Sequence, residues 1–270
     1  MLAQQLVREG KLGAALTALQ DAIRKDAADA KLRVFLFQLL AVMGQWPRAL
    51  NQLNVAGELD AATLPMVQTY RAAIQCEALR ADIFAGRRAP LIFGEPPAWL
   101  AQLIDALAYD EADPARAAAA RAQALEAAPA SGGSIDGTPF AWLADADMRL
   151  GPVLEAIVNG RYFWIPLCRI ARIELEAPAD LRDTVWSAAT FTWTNGASTV
   201  GLIPARYSGT AAALDDGLLL GRRTEWHGDR LLGQRMLVSD SGDHPLLDTR
   251  LIEFDADAEA KEEDEGMQHG

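Results

Sequence analysis

The chain has 270 residues, half of them hydrophobic, and a formal net charge of −12. A chain of this size can bury one large core or two smaller ones, so a globular fold is expected. No apolar run approaches the roughly 20 residues that span a bilayer, and the N-terminus lacks the basic and apolar regions of a secretory signal. Cys76 and Cys168 each lie in an apolar segment and are expected to be free thiols. We therefore expect a cytoplasmic protein that does not insert into membranes.

The acidic excess is concentrated at the C-terminal end. From Leu251 onward there are eight acids and one lysine, so this end carries −7 and the rest of the chain −5. Because like charges without an apolar period resist folding, residues 256–270 are predicted to be a disordered tail, with metal or protein binding as the alternative. The chain has no basic stripe, and this argues against a nucleic-acid partner.

The first half carries a helical repeat. A shift of 34 residues aligns residues 10–22 with 44–56, each with a turn glycine, an alanine five positions later and a leucine four after that. This pattern resembles the tetratricopeptide repeat, in which the small residue lets two antiparallel helices approach and the leucine fills the space between them. Residues 1–128 are therefore predicted to form a tetratricopeptide-like helical array. Its helices are predicted at 2–8, 12–25, 30–42, 47–55, 64–84, 98–108 and 114–127.

A helical array of this kind has a concave face that can hold a peptide or a helix. In the predicted register, Lys31, Val34, Gln38 and Ala41 line that face. They are candidate partner-binding residues. The alternative is that the helical half only supports the second domain.

Residues 129–134 form the predicted linker, because Pro, Gly and Ser there resist regular structure. Strand patterns predominate after it, so residues 135–255 are predicted to form an α+β domain with an antiparallel sheet. Asn195-Gly196 is a strong hairpin signal. The apolar segment 153–158, which precedes Asn159-Gly160, is interpreted as a short helix ended by the glycine. Strands are predicted at 162–167, 170–175, 188–194, 198–203, 218–226, 234–238 and 249–254, with a helical turn at 178–185.

Few residues support catalysis or metal binding. His227 and His244 lie beside turn residues, and no histidine or cysteine pair has the spacing of a zinc site. Glycine-rich phosphate loops are absent from the sequence. The Ser, Asp and His of segment 239–244 are interpreted as a polar turn, because adjacency in sequence is not triad geometry. We predict no catalytic residues, no cofactor and no metal.

Asp145 and Asp147 allow three interpretations. Each can cap a helix, since a carboxylate accepts orphan N–H groups and suits the helix dipole. Each can instead form a buried ion pair with Arg149 or Arg161. The third interpretation is an enzyme, hydrolase-like or otherwise, whose site holds Asp145, Asp147 and Arg161 in a cleft between the domains.

Several segments of the second half are together similar to one known family. They are FAWLADADMRLGPVLE (140–155), NGRY (159–162), WIP (164–166), PARY (204–207), GRRTEW (221–226) and GQR (233–235). This set resembles the ImpE family, the TagJ accessory proteins of bacterial type VI secretion, also called SciE-type virulence proteins. The resemblance implies a non-enzymatic cytoplasmic adaptor that binds the small subunit of the contractile sheath, through that subunit's N-terminal helix, and the ATPase that disassembles contracted sheaths. It transfers no catalytic residues.

Aromatic and arginine side chains of these segments are further candidates for partner binding, since Trp, Tyr and Arg often anchor interfaces. Core packing and ion pairing within the domain are the alternatives. A self-associating scaffold is the remaining hypothesis for the chain as a whole. The candidates are Arg161, Tyr162, Trp164, Arg206, Tyr207 and Trp226.

Overall fold

The computed structural model describes residues 1–255, and the predicted acidic tail, 256–270, lies outside the described residues. The first half consists of antiparallel helices, close to the predicted bounds except that α4 continues to Leu59. The helices are α1 (Leu2–Arg8), α2 (Leu12–Lys25), α3 (Ala30–Val42), α4 (Trp46–Leu59), α5 (Leu64–Phe84), α6 (Ala98–Leu107) and α7 (Pro114–Ala127). None of the described helices is both long enough and apolar enough to cross a membrane.

The packing of the first helices confirms the tetratricopeptide-like prediction. Gly10 and Gly44 follow α1 and α3 with φ of 71° and 66°, a left-handed conformation that glycine adopts without a Cβ penalty. The small and large residues that the repeat places between helices are fully buried. These are Ala15, Leu19, Ala49 and Leu53.

The second half is mostly strand. Its strands, with one from the helical half, are β1 (Leu91–Ile92), β2 (Gly133–Ile135), β3 (Thr138–Phe140), β4 (Leu143–Asp145), β5 (Val153–Val158), β6 (Arg161–Pro166), β7 (Ile170–Leu175), β8 (Trp186–Trp193), β9 (Ser198–Pro204), β10 (Thr224–His227), β11 (Arg230–Gly233), β12 (Met236–Ser239), β13 (Gly242–Pro245) and β14 (Leu251–Phe254). A short helix, α8 (Asp216–Leu219), precedes β10. The large sheet has the order β1-β6-β5-β9-β8-β7-β14-β2-β3, in which only β1 with β6 is a parallel pair among the described strands. Smaller sheets are formed by β10-β11 and by β13-β12-β4.

The prediction of a helix at 153–158 is wrong, because this segment is β5. It pairs with β6 across Asn159-Gly160, whose φ angles are both positive, and with β9 on its other edge. All of its residues are buried, since β5 is central and both faces of the sheet are covered. A strand buried on both faces shows no apolar alternation, and periodicity cannot distinguish it from a buried helix.

Two smaller predictions also need correction. The segment predicted as one strand at 218–226 contains the end of α8 and only then β10. Gly133, in the predicted linker, already lies in β2 and pairs with Phe254 of β14. The hairpin signal at Asn195-Gly196 is confirmed, because β8 and β9 pair across it.

The large sheet has an apolar cluster on each face. On the face toward the helices, the ring centroids of Trp164 and Phe84 are 5.7 Å apart, and those of Trp186 and Tyr70 are 5.8 Å apart. A second cluster, which includes Phe191, packs on the opposite face. The helical array is therefore packed directly against the sheet.

Candidate functional site

The helix face expected to hold a partner is covered by the chain's own second half. Lys31 is exposed and Val34 half-buried, but Gln38 and Ala41 are buried. Arg206 of the second half donates from Nη1 to a last-turn carbonyl of α3 at 2.8 Å. The prediction that Gln38 and Ala41 line an open groove therefore needs correction, since the sheet domain occupies that side of the helix.

Charged side chains of the second half also cap the ends of the first two helices. Arg222 Nη2 donates to the carbonyl of Val7 in the last turn of α1 at 3.0 Å, and Asp216 Oδ2 accepts from the amide of Leu12 at the start of α2 at 2.8 Å. The signs match the helix dipole, with a cation at a C-terminus and an anion at an N-terminus. These contacts hold the two halves in one arrangement.

Behind the helices, Glu155 of β5 lies at the centre of a buried charge cluster. Its Oε1 accepts from Arg80 Nε of α5 at 2.5 Å, and its Oε2 accepts from Arg80 Nη2 at 2.9 Å. Arg235 Nη2 and the hydroxyl of Tyr162 donate to the same carboxylate. The carboxylate is therefore saturated with donors from both halves of the molecule.

The cluster continues from Arg235 to two aspartates. Arg235 Nη1 donates to Asp145, and its Nε donates to the carbonyl of Pro204 at 2.9 Å. The amide of Asp147 donates to Asp145 Oδ1 at 2.8 Å. Asp147 in turn accepts from Arg149, whose Nε lies 2.9 Å and Nη2 2.5 Å from its carboxylate oxygens. Asp145 thus pairs with Arg235, which it shares with Glu155, and Asp147 pairs with Arg149.

Glu77 and Arg206 complete the group that we call the buried charge cluster. Glu77 accepts from the indole of Trp186 at 2.9 Å and lies 3.5 Å from Arg80 Nη1. Arg206 contributes its carbonyl, which accepts from Arg80 Nη2 at 2.7 Å. The cluster so defined holds four carboxylates, those of Glu77, Asp145, Asp147 and Glu155, which pair with the guanidinium groups of Arg80, Arg149 and Arg235. The guanidinium of Arg206 donates instead to the carbonyls of Val42 and Leu219.

Burial and charge act in opposite directions on these groups. Burial by itself raises the pKa of Glu155, but the charges of Arg80 and Arg235 outweigh it and lower that pKa to about 2. For Asp145 burial prevails over Arg235, and the pKa rises to about 6. Burial lowers the pKa of Arg206 to about 10. The Glu155 carboxylate is therefore charged at neutral pH.

The enzyme-like constellation of Asp145, Asp147 and Arg161 is not formed. Arg161 is exposed at the β5–β6 turn, with its guanidinium carbon 5.5 Å from the ring centroid of Phe163. Helix capping by the aspartates was also wrong, because Asp145 ends β4. The interpretation of a buried ion pair with Arg149 is confirmed for Asp147.

The aromatic candidates differ in how much of each side chain is exposed to solvent. Tyr162, Trp164 and Tyr207 are buried, and the indole of Trp164 donates to the Tyr162 hydroxyl at 2.9 Å. Arg206 is buried as well. These four are core residues rather than surface anchors, which corrects their assignment. Trp226 is different, with 61% of its surface exposed.

Sequence reasoning missed Arg80, and it considered Glu155 only beside Asp145, Asp147 and Arg149, without its partner Arg80. Arg80 lies on the buried face of α5, in helical register with Cys76 and Phe84, where an unpaired charge would be costly. Glu155 interrupts an otherwise apolar segment. A charge at a core-facing position was the available signal, but the partner of each lies 75 positions away in the chain.

The remaining polar candidates form no site. Ser239 Oγ lies 2.9 Å from His244 Nε2 across the β12–β13 turn, whereas Asp240 accepts from the amide of Ala141 instead of the histidine. Within residues 1–255, no group of three or more His, Cys, Asp or Glu side chains is placed to hold a metal ion.

An exposed apolar surface extends from the outer side of the β13-β12-β4 sheet to Trp226 of the β10-β11 sheet. Trp142 and Met148 are 41% and 57% exposed, and they line a depression of about 380 Å³. Trp226 lines a second depression of about 420 Å³. The two adjoin, since Ala146 and Val238 line both. We call the five residues Trp142, Ala146, Met148, Trp226 and Val238 the tryptophan surface.

Comparison with known proteins agrees with these features. Residues 137–253 match the ImpE protein family, and residues 6–74 match a tetratricopeptide repeat family. A Pseudomonas aeruginosa protein, the type VI secretion system accessory component TagJ, is 55% identical over 257 residues, which cover 94% of this chain and 92% of that protein. The crystal structure of protein VPA1032 from Vibrio parahaemolyticus shares the fold, with a TM-score of 0.84 at 24% identity over 96% of this chain and 100% of that one. The chain therefore belongs to the ImpE family, together with TagJ.

Proposed function

We propose that this chain is a non-enzymatic adaptor of a bacterial type VI secretion system. It acts in the cytoplasm, binds the small subunit of the contractile sheath through the N-terminal helix of that subunit, and links it to the ATPase that disassembles contracted sheaths. The observation that carries the proposal is the 55% identity, over 94% of the chain, to a protein named as an accessory component of this system.

The chemistry of the cluster supports a role without catalysis. Its carboxylates are neutralised by arginines, and Glu155 and Arg235 are fully buried. Groups held in this way fix the fold and do not meet a substrate. The cluster joins α5 of the helical half to the sheet, so the adaptor offers its partners one rigid body.

The partner helix binds outside the concave side of α3, because the sheet domain fills that side. Of the residues predicted to bind partners, Lys31, Arg161 and Trp226 are exposed, and Val34 is half-buried. These remain the candidates. An adaptor of this kind places its partners on outer surfaces of the two halves.

A pull-down tests the proposal. The purified chain is expected to retain the full-length sheath small subunit and to lose it when the first helix of that subunit is deleted. The ATPase is expected to join the complex when both are present. Equal retention of the truncated subunit would contradict the helix-recognition step. A chain that binds neither protein and forms oligomers by light scattering would instead support the self-associating scaffold.

A further inference from the structure

The tryptophan surface is an apolar strip centred on β12, and Trp226 is contributed to it by β10 of the two-stranded sheet. Val238 of β12 pairs with Ala144 of β4 on one side and with Asp243 of β13 on the other. Cross-strand partners share a face, so these side chains lie on the outer face of the sheet. Leu237, which points the other way, is buried in the core. The centre of the strip is therefore backed by the buried core, and its outer side faces solvent.

Its composition is that of an interface. Trp142, Met148 and Trp226 expose 41%, 57% and 61% of their surface, respectively, where most large apolar side chains of the described chain are buried. Tryptophan and methionine are enriched at protein interfaces, and the flexible thioether of methionine adapts to different ridges. Two adjoining depressions of about 380 and 420 Å³ give the strip room for the side chains of a partner.

The charge around the strip selects among occupants. Among the described residues that line the two depressions, the ionisable ones are Asp145 and Asp243. Asp145 is buried and paired with Arg235, so the charge that faces an occupant is that of the exposed Asp243. The chain's own C-terminal segment is acidic, and a second copy brings another net charge of −12. Both would place like charges together, which is unfavourable. A partner with basic residues beside its apolar contacts is complementary to this surface.

We propose that the tryptophan surface binds an amphipathic helix of another protein, with apolar anchors that enter the two depressions and a basic flank that faces Asp243. Apolar residues at i, i+3 or i+4 and i+7 of a helix form a ridge that suits such a groove. The inference rests on the proposed function in that it names a surface where the adaptor holds a partner helix.

The test measures fluorescence anisotropy with a labelled Leu/Lys amphipathic peptide of about 18 residues, long enough for five helical turns. Matched peptides replace every Lys by Glu or place a proline at the centre. The variants are Val238→Asp and Trp226→Ala, with Leu214→Asp as control, because Leu214 is fully exposed and lines neither depression. Val238→Asp and Leu214→Asp add the same charge, so non-specific attraction rises equally in both.

We expect the native protein to bind the Lys peptide, and Val238→Asp and Trp226→Ala to weaken that binding about tenfold or more. Leu214→Asp should bind at least as well as the native protein. Circular dichroism confirms that each variant is folded, and Trp226→Ala serves alone if Val238→Asp is not. Equal binding of the Glu peptide would overturn the basic partner, and equal binding of the proline peptide would overturn the helix. Unchanged binding by the folded variants would overturn the surface.

The same variants separate this inference from the proposed function. If the native chain retains the sheath small subunit and both variants retain it equally, the adaptor function stands and this surface is not where the helix binds. If the native chain retains neither sheath subunit nor ATPase but the peptide results hold, the proposed function fails and the surface stands.

Discussion

Glu155→Gln removes the central anion of the buried charge cluster while keeping the size of the side chain. In the native protein, the Glu155 carboxylate accepts from Arg80, Arg235 and Tyr162. The substitution leaves two buried guanidinium groups with less compensation and turns an amide NH₂ toward one of the donors. Breaking a buried ion pair on one side costs about 3–5 kcal/mol.

The lowered pKa of Glu155 leads to a similar magnitude. The shift from 4.5 to about 2 corresponds to about 3 kcal/mol of preference for the charged form in the folded state. The folded-state pKa is lowered, so this contribution is present above the ordinary pKa and is lost as the pH falls through 4.5 toward 2. We expect the free energy of unfolding at pH 7 to fall by about 3 kcal/mol, and the difference from the native protein to narrow below pH 4.5.

Urea unfolding monitored by tryptophan fluorescence measures this difference, and thermal unfolding should show a decrease of roughly 5–10 °C in Tm. Glu174→Gln is the matched control, since Glu174 pairs with Arg172 at the surface at 2.7 Å. That variant is expected to be indistinguishable from the native protein. If Glu155→Gln is as stable as the control at pH 7, the cluster does not hold the two halves together.

Three further changes test other parts of the account. Asp145→Asn should destabilise the protein much less than Glu155→Gln at pH 7, because burial raises the pKa of Asp145 to about 6. As the pH falls from 7 toward 4, the folded-state carboxyl takes up a proton before the unfolded-state one does. Urea titrations should therefore show the native protein gaining stability relative to Asp145→Asn over this range. Cys76 should react with a thiol reagent only in denaturant, since burial raises its pKa to about 11; labelling in the native state at the rate of a free thiol would contradict its burial. Gly133→Ala places a Cβ about 2.0 Å from the carbonyl oxygen of Glu253. Because β2 must then move away from β14, the free energy of unfolding should fall by about 1–3 kcal/mol, and Tm should fall with it. An unchanged Tm would be inconsistent with that pairing.

The helical half could be predicted almost residue by residue, because local signals suffice there. Turn glycines such as Gly44, the proline near the start of α4 and a regular apolar period mark where each helix begins and ends. The strands on either side of Asn195-Gly196 were predictable for the same reason, since the turn and both strands are adjacent in sequence.

The rest depends on contacts between distant segments. β5 has no alternation to mark it as a strand, and only its position between β6 and β9 makes it one. Arg80 and Glu155 are ordinary charged residues until folding places them 2.5 Å apart. The concave face of the array looked available because the sequence does not show that Arg206 and its neighbours fill it.

The motif residues were similarly ambiguous. Arg206, Tyr207 and Arg235 were recognised as a set, but residue type alone does not distinguish a buried ion pair from an exposed interface anchor. Burial resolved the question for these three, whereas Trp226 stayed at the surface. The specific motifs of the second half thus mainly build the cluster that joins the two halves.

Site-specific photocrosslinking tests the central claim most directly. A photoreactive amino acid is placed at position 142 or 226, with position 214 as the control, and each variant is irradiated with the sheath small subunit. The account predicts crosslinks from positions 142 and 226 to the first helix of that subunit, and none from position 214. A bound subunit that crosslinks only from position 214, or a subunit that does not bind at all, would contradict it.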